Sequence, residues 1–191
     1  TIANERIYTA DTDGMNWPSQ STRVSVVDIN SFEFEKTITV SLNPNYIYSD
    51  SDGDVYVICM SDYSDDKSYI VQRIDAKTDE VKTVEGIKAY KMTVADDIAY
   101  IMFNDYYANE VKYYKYDLKN EKLLSDNFIT DGTVVSSPNG IGVDPVTGDI
   151  YVGKSNKKNN GDVYVFSSEG KLKSQFETLP YPADFVFMTN K

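Results

Sequence analysis

The chain has 191 residues, with 30 acidic against 19 basic, no histidine and one cysteine, Cys59. A net charge of −11 and a pI near 4.4 exclude nucleic acid and anionic membrane surfaces as partners, because both are bound by positive charge that replaces counterions. Without histidine there is no Ser-His-Asp triad, no Cys-His pair and no imidazole zinc site, and a lone cysteine allows no internal disulfide.

Hydrophobic residues make up 41% of the chain, enough to build a core, and 16 Tyr and 8 Phe stand beside a single Trp. This is a strand-favouring palette with few helix signals. No apolar stretch approaches the roughly 20 residues of a membrane-spanning helix.

In chain order the strands repeat. The first repeat holds Ile7-Tyr8-Thr9, Val26-Val27-Asp28 and 35–40. The second adds an alternating strand before these, 45–50, and a tight turn, Ser51-Asp52-Gly53-Asp54, then Val55-Tyr56-Val57, Arg73-Ile74-Asp75 and 80–84. The third runs 91–96, Ala99-Tyr100-Ile101, Lys115-Tyr116-Asp117 and 122–124, and the fourth 140–144, Ile150-Tyr151-Val152, Val165-Phe166-Ser167 and 171–176. The recurrent tyrosines lie 48, 44 and 51 residues apart. Four short strands on a period of 40–50 residues predict the blades of a β-propeller, over a sandwich with merely regular spacing. The expected organisation is one domain, 1–191, with blades over about 1–40, 44–85, 89–129 and 138–177. The first repeat begins at its second strand, and Pro182-Ala-Asp-Phe-Val-Phe-Met188 reads as a first strand with no blade after it. Residues 183–188 are therefore expected to close the first blade.

Two passages carry a resemblance: Asn139-Gly-Ile-Gly-Val-Asp-Pro-Val-Thr-Gly-Asp-Ile-Tyr-Val152 and Gly161-Asp-Val-Tyr-Val-Phe-Ser-Ser-Glu-Gly-Lys171. The text resembles the YncE-like surface β-propellers of gut outer-membrane bacteria, most strongly over 134–188. The resemblance implies seven or eight blades, of which this chain holds four, whether as a small ring or as part of a larger one. It implies a non-enzyme, exported to the outer-membrane surface or periplasm and lipid-anchored through a processed N-terminal segment. It also implies capture of a small molecule such as a corrinoid, beside an outer-membrane transporter.

In a propeller the second-to-third and fourth-to-first connections emerge at one end, and loops on a rigid scaffold carry function. The long second-to-third connections are 11–22, 60–68, 104–110 and 154–161. They contain Trp17, Tyr63, Tyr106 and Tyr107, with Lys157 and Lys158. Asn45, Tyr90, Asn139 and Ala183 precede the inner strands, and Tyr181 lies two residues upstream of the last. Aromatic faces with amides around them suit a flat polycycle or a sugar ring. The expected ligand-binding set is Trp17, Asn45, Tyr63, Tyr90, Tyr106, Tyr107, Asn139 and Tyr181. The expected partner is a corrinoid or glycan, or else an outer-membrane protein that treats the propeller as a scaffold.

No catalytic residue, metal ligand or cofactor is expected. Asp11-Thr-Asp13-Gly14 and Asp50-Ser-Asp52-Gly53-Asp54 resemble the start of a calcium loop but lack its terminal glutamate, so hairpin turns explain them more simply. The alternative reading is a metal-dependent lactonase-like hydrolase. Propeller lactonases, which resemble this fold, hold an axial divalent metal with Glu, Asn and Asp of inner strands, and Asn45 and Asn139 sit suitably, although the first strands supply no matching Glu. Cys59 and the tyrosines inside the strands are expected in the core.

Overall fold

The computed structural model of the chain describes residues 1–16, 20–62, 69–105, 110–156 and 158–188. They form four four-stranded antiparallel sheets, each with its strands in chain order. Two compact units, Thr1–Tyr90 and Lys91–Lys191, hold two sheets apiece.

In the first unit, sheet 1 comprises β1 (Ile2–Ala3), β2 (Arg6–Asp11), β3 (Arg23–Asp28) and β4 (Phe34–Thr39). Sheet 2 comprises β5 (Pro44–Ser49), β6 (Val55–Cys59), β7 (Ile70–Ile74) and β8 (Val81–Lys88). Between them lies a core of Tyr8, Val24, Val26, Ile38, Val55, Val57, Cys59 and Ile74. Alternation along β3 sends Val24 and Val26 into this core, whereas β6 is buried at all five positions and reads as an unbroken apolar run.

In the second unit, sheet 3 comprises β9 (Lys91–Ala95), β10 (Ile98–Asp105), β11 (Glu110–Asp117) and β12 (Lys122–Ser125). Sheet 4 comprises β13 (Pro138–Val143), β14 (Ile150–Asn156), β15 (Asn159–Phe166) and β16 (Leu172–Thr178). Here the core holds Ala99, Ile101, Phe103, Ile141, Val143, Ile150, Val152 and Phe166. Phe128 stands edge-on to Tyr100 and Tyr113, with ring centroids 5.5 and 5.4 Å away.

The turns explain the acidic punctuation. Asp28 and Asp117 end β3 and β11, and Asp75 follows β7; their carboxylates accept backbone N–H groups from the turn that follows, at 2.7–3.0 Å. Asp50 does the same for the N–H of Asp54, and Asp144 for that of Val146. The aspartates of the calcium-like stretches serve local structure: Asp54 pairs with Arg73 and accepts the N–H of Ala76, and Asp11 accepts the hydroxyls of Thr9 and Ser25. Two-residue hairpins at Asn4-Glu5 and Asp96-Asp97 have both φ values between 48° and 61°, the geometry that follows the twist of the flanking strands.

One expectation is corrected. Residues 183–188 form no strand. Sheet 1 has its own first strand, β1, which pairs with Arg6 and Ile7 and is short enough for the sequence pattern to miss. Residues 182–187 instead run across one face of sheet 4, where Phe185 and Phe187 pack on Tyr151 with centroids 5.8 and 5.2 Å away. Three of the four recurrent tyrosines, Tyr8, Tyr56 and Tyr100, are buried in strand cores, and the half-buried Tyr151 is covered by those two rings.

Candidate functional site

The registers set the geometry of the loop end. In sheet 2, Pro44, Cys59, Ile70 and Lys88 lie in one row, so the start of β5, the connection after β6 and the end of β8 share one end of the sheet. In sheet 4, Pro138, Lys154, Asp162 and Glu177 make the equivalent row. In these two sheets the second-to-third connection and the entry to the inner strand therefore fall at one end. In sheet 4 the expected long connection, 154–161, is corrected: β14 runs to Asn156 and β15 starts at Asn159, leaving only 157–158 between them.

Asn45 and Asn139 each follow a proline, and each sits where the register of its inner strand shifts: Pro44 opposes Cys59 but Tyr46 opposes Ile58, and Pro138 opposes Lys154 but Gly140 opposes Gly153. Both are the extra residue of a β-bulge, a device that re-aims a side chain at a strand end. Asn45 is half-buried, and its side-chain amide has no hydrogen-bond partner among the described residues. The neighbouring Asn43 is fully buried with φ 60°. Its Nδ2 donates to the Ser61 carbonyl at 2.9 Å, and its Oδ1 has no partner among the described residues. Thr12 Oγ1 donates to the Pro44 carbonyl at 2.9 Å, and the Asn43 N–H to the Ser21 carbonyl at 2.8 Å, which ties the loop end of sheet 1 to this corner. Tyr90 follows β8 at the same end and is half-buried. The structure thus brings Asn45 and Tyr90 to one end of sheet 2, beside an orphaned amide oxygen that the sequence does not reveal.

In the second unit the end is built differently. Asn139 Nδ2 donates to the Pro182 carbonyl at 3.4 Å, so its amide serves the C-terminal segment. Lys91, the first residue of β9, is buried at 4% exposure. Its Nζ donates to the Ala183 carbonyl at 2.6 Å and pairs with Asp184 at 3.1 Å. The sequence pattern singles out its neighbour Tyr90 instead; a lysine at an inward position between apolar strand residues is the signal that could have found it. Tyr181 is 54% exposed and lies just beyond β16. Trp17, Tyr63, Tyr106, Tyr107 and Lys157 lie outside the described residues.

Cys59 is fully buried, with its thiol 3.8 Å from Gln72 Oε1, and burial pushes its pKa up to about 12. Such a thiol carries little thiolate near neutrality and packs as a small apolar side chain. Among the described residues no cluster of three or more carboxylate or thiol side chains is placed to hold a metal ion.

No protein-family model matches the sequence, and no curated protein matches it. Solved structures do. A quinonprotein alcohol dehydrogenase-like protein from Bacteroides thetaiotaomicron matches 93% of this chain at 18% identity, with a TM-score of 0.63. The Dos1 propeller matches 95% at 13% identity, also with a TM-score of 0.63. The fold is a β-propeller. A chain of the nidogen/laminin complex matches 86% at 15% identity, with a TM-score of 0.54. This chain spans 44%, 46% and 62% of those three proteins, respectively. Its four sheets are propeller blades, and a propeller of this kind is suited to binding a ligand or another protein at its loops.

Proposed function

We propose that this chain is a non-catalytic ligand-binding propeller of the YncE-like kind, exported and held at the outer surface of a bacterial envelope. Its ligand is a flat or ring-shaped small molecule, a corrinoid or a glycan. The site lies at the loop end of the first unit. Asn45 and Tyr90 contribute from the inner-strand entries, and Trp17 and Tyr63 from the connections after β2 and β6. Tyr106 and Tyr107 occupy the corresponding connection of the third blade.

The observation that carries this reading is the Asn45 amide, half-buried at the bulge of β5 and without a partner among the described residues. A ligand hydroxyl or amide that hydrogen-bonds to the half-buried Asn45 gains about 0.5–1.5 kcal/mol. Aromatic rings from the flanking connections supply faces for stacking. The sequence resemblance over 134–188 supports the envelope location and the ligand class.

The test is isothermal titration of the purified chain with cobalamin and with an oligosaccharide panel, beside Asn45→Ala and Trp17→Ala. Saturable heat that weakens in both variants supports the reading, and its absence for every ligand removes it. The second reading, a scaffold for an outer-membrane protein, draws on the matched propeller that comes from a protein complex. It predicts silence with small molecules and association with a purified transporter.

A further inference from the structure

The fourth blade differs from its fellows on one face. Register places Gly140, Gly142, Gly153 and Gly161 where the second blade has Tyr46, Tyr48, Ile58 and Tyr69, and where the third has Lys91, Thr93, Met102 and Val111. The room left by those side chains is filled by residues 182–187. A Cβ on Gly153 would stand 2.4 Å from the Pro182 carbonyl oxygen, and one on Gly140 2.6 Å from that of Ala183. On Gly142 it would meet Phe185 at 2.7 Å, and on Gly161 Pro182 at 2.7 Å. Four glycines in register make a flat seat for an extended peptide.

Polar contacts fix the occupant. Lys91 Nζ holds the Ala183 carbonyl and the Asp184 carboxylate, and Asn139 Nδ2 reaches the Pro182 carbonyl. Phe185 and Phe187 turn in onto Tyr151, whereas Val186 and Met188 point outward at 90% and 96% exposure. The seat therefore reads a Pro-Ala-Asp-aromatic-x-aromatic segment. Tyr181 lies between Pro180 and Pro182 with φ 60°, a left-handed conformation that is strained for a bulky residue. Extending the backbone there relieves that strain and swings the segment off the seat.

We infer that the seat is an exchange site: the 182–187 segment of a second copy takes the place of the chain's own, with the Pro180–Pro182 hinge opened. Every contact of the seat is kept in the exchange and the hinge strain is lost, the condition under which identical elements swap between protomers.

Sedimentation of the full chain, from low micromolar to near millimolar concentration and after refolding at high concentration, is expected to show a dimer of twice the 21.6 kDa chain mass. Tyr181→Gly, which removes the strain, should lower the dimer fraction several-fold. Gly153→Val blocks the seat, and Phe185→Ser with Phe187→Ser disables the segment. Each variant alone should remain monomeric, and the two mixed should form a one-to-one heterodimer. A monomeric unaltered chain at every concentration, together with no complex in the mixture, overturns the inference. So does a dimer that persists in Gly153→Val. Where a variant fails to fold by near-ultraviolet circular dichroism, the unaltered chain and Tyr181→Gly decide.

Discussion

Asn45 and Asn139 are the same residue of the same β-bulge in the second and fourth blades, but their amides have different employment. Asn139 donates to the Pro182 carbonyl at 3.4 Å, and Asn45 has no side-chain partner among the described residues. The substitutions should therefore separate. Asn45→Ala is expected to leave the melting temperature almost unchanged while weakening ligand binding several-fold, the loss of about 0.5–1.5 kcal/mol from one hydrogen bond. Asn139→Ala should speed proteolytic cleavage after Phe185 and Phe187 and leave the ligand affinity alone. Calorimetry and limited proteolysis on the two variants check both halves.

Gly170 and Gly132 give a second paired prediction. Both have left-handed φ, 79° and 81°. A Cβ on Gly132 meets nothing within 4 Å, whereas one on Gly170 would lie 1.7 Å from the Phe128 carbonyl oxygen. Gly132→Ala should cost about 1–2 kcal/mol from backbone conformation alone. Gly170→Ala must also push apart the Thr130–Gly170 hydrogen bond that anchors Phe128 over Tyr100 and Tyr113, and should cost more than about 3 kcal/mol. Equal losses in urea unfolding would contradict so close an approach of the two segments.

Four turn carboxylates predict the acid limb of stability. Hydrogen bonds lower the pKa of Asp28, from the Ser31 backbone first; of Asp75, from that of Thr78; of Asp117, from the Asn120 side chain; and of Asp144, from the Val146 backbone. A carboxylate with a depressed folded pKa binds fewer protons folded than unfolded, so its contribution is present above the ordinary carboxylate value and disappears as pH falls through the folded one. The melting temperature should hold near neutrality and decline below about pH 4, the range of unperturbed aspartate. Asp75→Asn should lower it at neutral pH and flatten its decline in acid. A decline that is equally steep in Asp75→Asn would refute this origin.

Cys59 should be silent toward thiol reagents. Its burial and raised pKa predict that Ellman's reagent labels the native chain at pH 8 more than about a hundred times slower than the urea-unfolded chain, the regime of an inert, buried thiol. Comparable rates would mean that β6 opens readily.

Much of the fold is legible in the sequence because strand text is local. The apolar-Tyr-apolar unit and the aspartates ending the third strands are dictated by the two-residue period and by turn chemistry, so they stand in the sequence wherever a blade stands. β1 is hidden because two residues carry no periodicity. The C-terminal segment misleads for a physical reason: Phe185 and Phe187 alternate with Val186 and Met188 as in a strand, but what holds them is a side-chain seat on the fourth blade, not a ladder. The seat itself is written in Gly140, Gly142, Gly153 and Gly161, and only register shows that they share a face. Lys91 and Asn43 owe their roles to burial, which depends on neighbours distant in sequence.

The proposed ligand capture at the loop end of the first unit rests on Asn45, with Trp17 and Tyr63 as its expected aromatic partners. Its decisive test is the melting temperature of the unaltered chain and of an Asn45→Ala, Trp17→Ala double variant across a concentration series of cobalamin and of oligosaccharides. A ligand that binds only the folded chain must raise the melting temperature progressively with its concentration. Such a rise is expected for one of these classes in the unaltered chain, with its loss in the double variant. An equal rise in both proteins, or none in either, would rule out binding at this corner.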